Sequence, residues 1–210
     1  MLVLKNSDYL LPETRKLLTE LVATATFLEK YVLVEGTALS LHLCHRKSED
    51  LDFFTYSDNF EKKEIFDYIN NNQFEKVEII NQTSEQLDLL INGVKVTFFN
   101  AKWTFLTPGK IKRFNLSSLT AIAGMKVNTM FLRAKFRDYY DLYFLVKTGM
   151  TLQEVFHSAK NVITGISFKM MAIALVYIDD IEDENIAHLD PAAKISCQEI
   201  RSFFEDKLKC

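Results

Sequence analysis

Two aspartates one residue apart, Asp50 and Asp52, are the residues of this sequence best placed to do chemistry. They stand in Asp50-Leu51-Asp52 ahead of Phe53-Phe54, and this pattern predicts a strand. Side chains alternate with period two along a strand, so both carboxylates point to one face. At that separation they repel each other unless a cation lies between them. A hard divalent cation, Mg2+ or Mn2+, suits such a pair, with phosphate oxygens completing its shell. Upstream, Gly36-Thr37 follows a short apolar run at 31–34 and precedes an apolar helical pattern at 38–44. Twelve residues separate Thr37 from Asp50. A Gly-Thr turn that opens a helix presents backbone N–H groups and a hydroxyl to a phosphate.

In this order and at this spacing, the residues resemble motif one of the DNA polymerase β-like nucleotidyltransferase superfamily: Gly-Gly-Ser/Thr, a spacer, then Asp-x-Asp. More narrowly, residues 34–55 are similar to the AbiEii toxin-type nucleotidyltransferases of bacterial type IV toxin–antitoxin systems. Further matches lie at 93–99, 123–147 and 174–184. The resemblance implies a metal-dependent enzyme that moves a nucleotidyl group from a nucleoside triphosphate to a hydroxyl acceptor and releases pyrophosphate. It implies a toxin role, with RNA such as a tRNA end as acceptor and a separately encoded antitoxin protein as partner. Two other readings stand beside it: a degenerate nucleotide-binding or interaction module, and a small-molecule transferase of the antibiotic-modifying kind.

The resemblance also assigns residues downstream. Lys126, within an apolar helical run, matches a lysine that binds the nucleotide. From sequence alone, such a lysine either extends outward or meets a phosphate. Arg137-Asp138-Tyr139-Tyr140-Asp141-Leu142 matches a basic-Asp-x-x-Asp-Leu motif, which implies that Arg137 and Asp141 contact nucleotide and that Asp138 serves catalysis. Asp138 and Asp141 share one helix face, where the alternative is an ion pair with Arg133, Lys135 or Arg137. His45, Arg46 and Ser48 match a Gly-His-Arg-Arg-Ser segment, and the expectation is a basic lip at 45–47 beside the metal site. A metal pair formed by His42 and His45 on one helix face is a weaker alternative.

The sequence departs from the family pattern at two positions. Glu35 replaces the first glycine of motif one, where glycine permits φ above zero and close approach of backbone to phosphate. The superfamily's third carboxylate is expected on the strand at 94–99, where Thr97 is the best-placed residue. Asn92-Gly93 is a strong hairpin signal. It pairs Ile91 with Val94 and sets Asp88 opposite Thr97, so Asp88 becomes the candidate third metal carboxylate, with Lys95 or Lys102 as its alternative ion-pair partner.

These residues need a scaffold, and the hydrophobic periodicity supplies one. Helices are expected at 12–30, 38–44, from an Asp58 cap to 71, from Ser117 or Ser118 to 132, at 136–147, from Thr151, at 167–177 and at 191–208; strands at 31–34, 74–80, 86–91 and 94–99. The expected fold class is α+β, and the resemblance implies a nucleotidyltransferase-type mixed sheet with flanking helices at 1–112, followed by a helical part at 113–210. The chain has 210 residues, 48% hydrophobic and 25% charged, which suits a globular core with no global pull toward nucleic acid at a net charge of −3. No run is long enough to span a membrane and no cleavable leader is evident. Three separated cysteines, Cys44, Cys197 and Cys210, read as free thiols of a cytoplasmic protein. Charge is uneven: residues 89–137 hold nine Lys/Arg and no Asp or Glu, whereas 179–190 hold six acids and no Lys or Arg. The basic stretch favours an anion-binding role.

Overall fold

Asn92 and Gly93, with φ of 50° and 84°, turn the chain through a two-residue hairpin loop. Both central positions of such a turn require positive φ, which Asn-Gly supplies at low cost. In the computed structural model this hairpin belongs to a mixed seven-stranded sheet. The structure describes residues 5–56, 60–106, 109–111, 114–178, 181 and 185–209. The chain divides into two compact units, Met1–Ser117 and Ser118–Cys210.

The first unit runs α1 (Pro12–Thr24), β1 (Val32–Leu33), α2 (Glu35–Leu43), β2 (Leu51–Thr55), α3 (Lys62–Asn71), β3 (Val77–Gln82), β4 (Gln86–Ile91), β5 (Val94–Asn100), β6 (Gly109–Ile111) and β7 (Phe114–Leu116). The strands form one sheet in the order β3-β4-β5-β2-β1-β7-β6. β2 lies parallel to β5, and β1 parallel to β7; the other neighbours are antiparallel. One sheet face carries the core. Phe53 and Phe98 stack on it at 5.5 Å, and Phe27 and Tyr31 pack against Phe98. Full burial of each such ring contributes roughly 1.5–3 kcal/mol.

Several expected boundaries shift. α1 stops at Thr24 and the chain continues as a 3-10 turn over Thr26–Lys30. Two β-branched threonines flank Ala25 there, and the break turns Phe27 and Leu28 into the core. α2 starts directly after Val34, so Gly36 and Thr37 lie in its first turn rather than in a turn before it. β3 begins three residues late, at Val77. The pair β6 and β7 is absent from the sequence expectation. These are three-residue strands, and β7 is specified by its pairing with β1 across 80-odd residues rather than by a local pattern. Asp58, the expected cap of α3, lies outside the described residues, and α3 begins at Lys62.

The second unit is helical: α4 (Leu119–Arg133), α5 (Phe136–Lys147), α6 (Leu152–Ala159), α7 (Phe168–Val176) and α8 (Cys197–Lys209). Ser118 caps α4 by accepting from Ala121 N at 3.2 Å, and Thr151 and Glu154 form a capping box on α6. Gly124 lets α4 and α6 touch, because a Cβ there would stand 2.6 Å from the Ser158 carbonyl oxygen. α8 starts at Cys197, not near Pro191: Ser196 and Glu199 cap each other's backbone N–H, a stronger start than the proline alone. Of the acidic run, 179–180 and 182–184 lie outside the described residues. No described helix is long and apolar enough to cross a membrane.

Candidate active site

The segment bearing Asp50 is clamped from three sides. Thr14 on α1 donates its hydroxyl to the Glu49 carbonyl at 2.7 Å. Ser48 forms an isolated bridge with Leu10. Thr37, in the first turn of α2, donates its hydroxyl to the Asp50 carbonyl and lies 2.8 Å from Ser48 Oγ. At the other end of the pair, Val34 N donates to the Asp52 carbonyl at 2.9 Å. Asp50 stands just before β2 and Asp52 on it, and the start of α2 is thus stitched to both. Asp50 and Asp52 are half-buried with Leu51 buried between them, as alternation requires.

Thr37 is 1% exposed and its hydroxyl is engaged with the Asp50 carbonyl and Ser48, so the side chain sets the loop. Gly36 is required for a different reason than expected. A Cβ there would lie 2.7 Å from Arg46 Nη2, so the guanidinium rests on the first helical turn. His45 and Arg46 are 1% and 3% exposed and therefore interior, not an exposed lip. His42 bonds the Ser117 carbonyl at 2.7 Å, whereas α2 ends at Leu43 before His45, so the two histidines do not share a helix face. Glu35 stands at φ 56°, the left-handed region in which glycine is the low-cost residue.

Across the sheet, register defines a polar row. Asp52 pairs with Thr97 on β5, and Thr97 pairs with Asp88 on β4. The hairpin register expected from Asn92-Gly93 is the one observed. Asp88 lies on the same sheet face as Asp52, two strand spacings or roughly 10 Å away. Its carboxylate accepts from Gln86 Nε2 at 2.8 and 3.0 Å and from Asn81 Nδ2 at 3.2 Å. These amides take the place of the lysine partners considered above; Lys102 pairs with Glu85 at 3.3 Å. Among the described residues, no group of three or more His, Cys, Asp or Glu gathers around one point. The donor set near β2 is two carboxylates of hard oxygen, which fits a Mg2+ completed by substrate phosphates and does not by itself form a full protein cage.

In the second unit, Lys126 is 2% exposed and held by Asp141 at 2.9 Å and Asp138 at 3.4 Å. It does not extend outward, and its ammonium meets these carboxylates. Its carboxylate partners come from the next helix, α5. Arg133 adds a bidentate bond to Asp138, both contacts at 3.0 Å. Burial alone would raise the Asp138 pKa, but Lys126 and Arg133 outweigh it and hold the carboxyl below its ordinary range. Arg137, immediately before Asp138 in sequence, lies half-buried on α5.

Sequence reasoning missed one feature. Phe54 and Phe99, on the same sheet face as Asp52 and Thr97, pair in register with rings 5.1 Å apart. Trp103 lies 5.9 Å from Phe54. The alternation of β2 and β5 contained the signal, because it puts these two rings on the carboxylate face.

No protein-family model matches the sequence. An uncharacterized protein of Aquifex aeolicus, aq_aa25, is 31% identical over 196 residues, which is 90% of this chain and 92% of that protein. Among solved structures, a "putative nucleotidyltransferase" from Helicobacter pylori superposes with a TM-score of 0.63 at 20% identity, over 99% of this chain and 96% of its own. JHP933 of Helicobacter pylori gives 0.56 at 19%, over 92% and 90%. The nucleotidyltransferase toxin MenT4 of Mycobacterium tuberculosis gives 0.58 at 15%, over 95% and 86%. The shared architecture is a nucleotidyltransferase fold.

Proposed function

The chain belongs to the same family as the Aquifex aeolicus protein aq_aa25, and from this membership and its nucleotidyltransferase fold we propose that it is a metal-dependent nucleotidyltransferase. One observation carries the proposal: the Thr37–Asp50 bond fixes the α2 N-terminus against Asp50, the residue that leads into the strand bearing Asp52. Anion-oriented N–H groups and a cation-binding carboxylate pair are then neighbours, which is what a metal–triphosphate needs. Asp50 and Asp52 would hold Mg2+ or Mn2+. The bound ion supplies neutralisation of phosphate charge and activation of the attacking oxygen.

In this proposal the backbone N–H groups of Gly36 and Thr37 meet phosphate oxygens, and Arg46 resting on Gly36 adds a cation at the same helix turn. Thr97, beside Asp52, has no basic carboxylate to take the acceptor's proton. Asp88 is the carboxylate one strand further on, and serves as base or further metal ligand only if it leaves its amide partners. The resemblance assigns nucleotide contacts to Lys126, Arg137 and Asp141 and a catalytic role to Asp138, and Lys126 would have to share its ammonium between these carboxylates and a phosphate. We extend the proposal to a hydroxyl acceptor on RNA, to a toxin partnered by an antitoxin protein, and to a cytoplasmic setting.

The experiment is incubation with each labelled nucleoside triphosphate, Mg2+ and total RNA, with and without chelator. Metal-dependent label on RNA is the expected outcome. Nucleotide binding without transfer to RNA, to small hydroxyl compounds or to protein would instead establish a binding module. The reading of a binding module draws on Glu35 at positive φ and on Thr97 in the third-carboxylate position.

A further inference from the structure

The sheet of the first unit carries two aromatic clusters on opposite faces, and only one of them is core. Phe53 and Phe98 are each 1% exposed and join Phe27 and Tyr31 in the interior. On the other face, Phe54 and Phe99 meet edge to face, and Trp103 and Phe105 extend the cluster with near-parallel rings 5.6 Å apart. All four remain half-exposed. Rings that only fill a core are removed from water, as Phe53 and Phe98 are. Half-exposed rings gathered on one surface keep part of their area in reach of solvent, and flat π-faces are what a nucleobase stacks on.

Their position gives the cluster meaning. Phe54 is two residues beyond Asp52 on β2, and Phe99 two beyond Thr97 on β5, with the two pairs in register. The rings therefore lie on the carboxylate face, roughly 7 Å along the strands from Asp52. We propose that Phe54, Phe99 and Trp103 form a stacking platform for a nucleobase whose phosphate, or whose neighbour's phosphate, lies at Asp50 and Asp52. The ligand class is a purine or pyrimidine base, brought either by the donor nucleotide or by a single-stranded acceptor. The proposal rests on the transferase reading for the role of the carboxylates, but the platform itself is a binding surface and is tested as one.

Trp103 is the single tryptophan of the chain, so indole fluorescence reports this cluster alone. The full-length protein, with Mg2+, is titrated with three probes: nucleoside triphosphates, a short single-stranded RNA, and inorganic tripolyphosphate, which has charge and no base. Saturable quenching by a base-bearing probe and none by tripolyphosphate is the expected result. Quenching by the free nucleotide assigns the platform to the donor; quenching by RNA alone assigns it to the acceptor. Trp103→Ala should weaken binding of the quenching probe, read with a labelled ligand, by at least about fivefold. Trp103→Phe, which keeps a ring, should recover most of it, and circular dichroism checks that both variants fold. Equal quenching by tripolyphosphate, no quenching at all, or unchanged affinity in Trp103→Ala overturns the platform. Label transfer that survives such a failure leaves the transferase standing, while base quenching without transfer leaves the platform standing.

Discussion

Asp52 and Thr97 are direct neighbours on the parallel strands β2 and β5, with side chains on the same face of the sheet. A carboxylate at position 97 would stand beside the Asp50–Asp52 pair, and the threonine there leaves the row Asp52–Thr97–Asp88 with acids only at its two ends. Thr97→Asp is predicted to raise metal-dependent label transfer at least tenfold, since general-base help is typically worth 10²–10⁴ in rate. It should also lower the melting temperature in chelator, because like charges then face each other across strands, and Mg2+ should restore it. Unchanged transfer together with a metal-independent melting temperature would show that no cation is held there.

Asp50→Asn and Asp52→Asn test the pair itself. Each removes one hard oxygen charge while keeping shape, and each should reduce Mg2+-dependent triphosphate binding at least tenfold, measured by calorimetry. The apo melting temperature should stay within about 2 °C, because the carboxylates gain nothing from each other without the cation. Normal triphosphate affinity in either variant would remove the metal role.

Glu35 offers a test whose sign is unusual. In an ordinary helix glycine is less stable than alanine by about 1 kcal/mol. At φ 56° the order should reverse, since a Cβ in the left-handed region costs roughly 1–2 kcal/mol. Glu35→Gly is thus predicted to be more stable than Glu35→Ala in urea unfolding. Both variants should bind triphosphate more tightly than the parent by removing a negative charge from the first turn of α2. If alanine proves the more stable, the backbone at Glu35 is not strained.

Local signals in the sequence were enough for the hairpin. Asn92-Gly93 alone fixed the pairing from Ile91–Val94 to Asp88–Thr97. The caps Ser118, Thr151 and Ser167 likewise marked the starts of α4, α6 and α7. What stayed hidden was non-local. The parallel pairing of β2 with β5 joins residues some 45 positions apart and has no turn to announce it, so no local signal, only the family resemblance, pointed to Thr97 as the neighbour of Asp52. The contacts of Thr37 and Arg46 were hidden for the same reason. A hydroxyl or guanidinium looks available until the segment that folds back on it is known, and here Ser48, Asp50 and Gly36 supply the contacts.

The charge cluster of the second unit gives the last prediction. Lys126 lies 2.9 Å from Asp141 and 3.4 Å from Asp138, and both carboxylates are 0% exposed. Removing one member of a buried pair strands the rest, at a cost of about 3–5 kcal/mol. Lys126→Met, which keeps length and loses charge, should therefore lower stability by about that much, whereas the triple change Lys126→Met, Asp138→Asn, Asp141→Asn should recover part of it. The pH dependence follows from the depressed pKa of Asp138. Its contribution is fully present above the carboxyl's unfolded value, near 3.9, and is lost as pH falls through the lower folded value. Denaturant unfolding of the parent should accordingly show stability falling below about pH 4, with a shallower fall in Asp138→Asn. A parent and an Asp138→Asn variant with superimposable acid limbs would mean that the cluster is not coupled to folding.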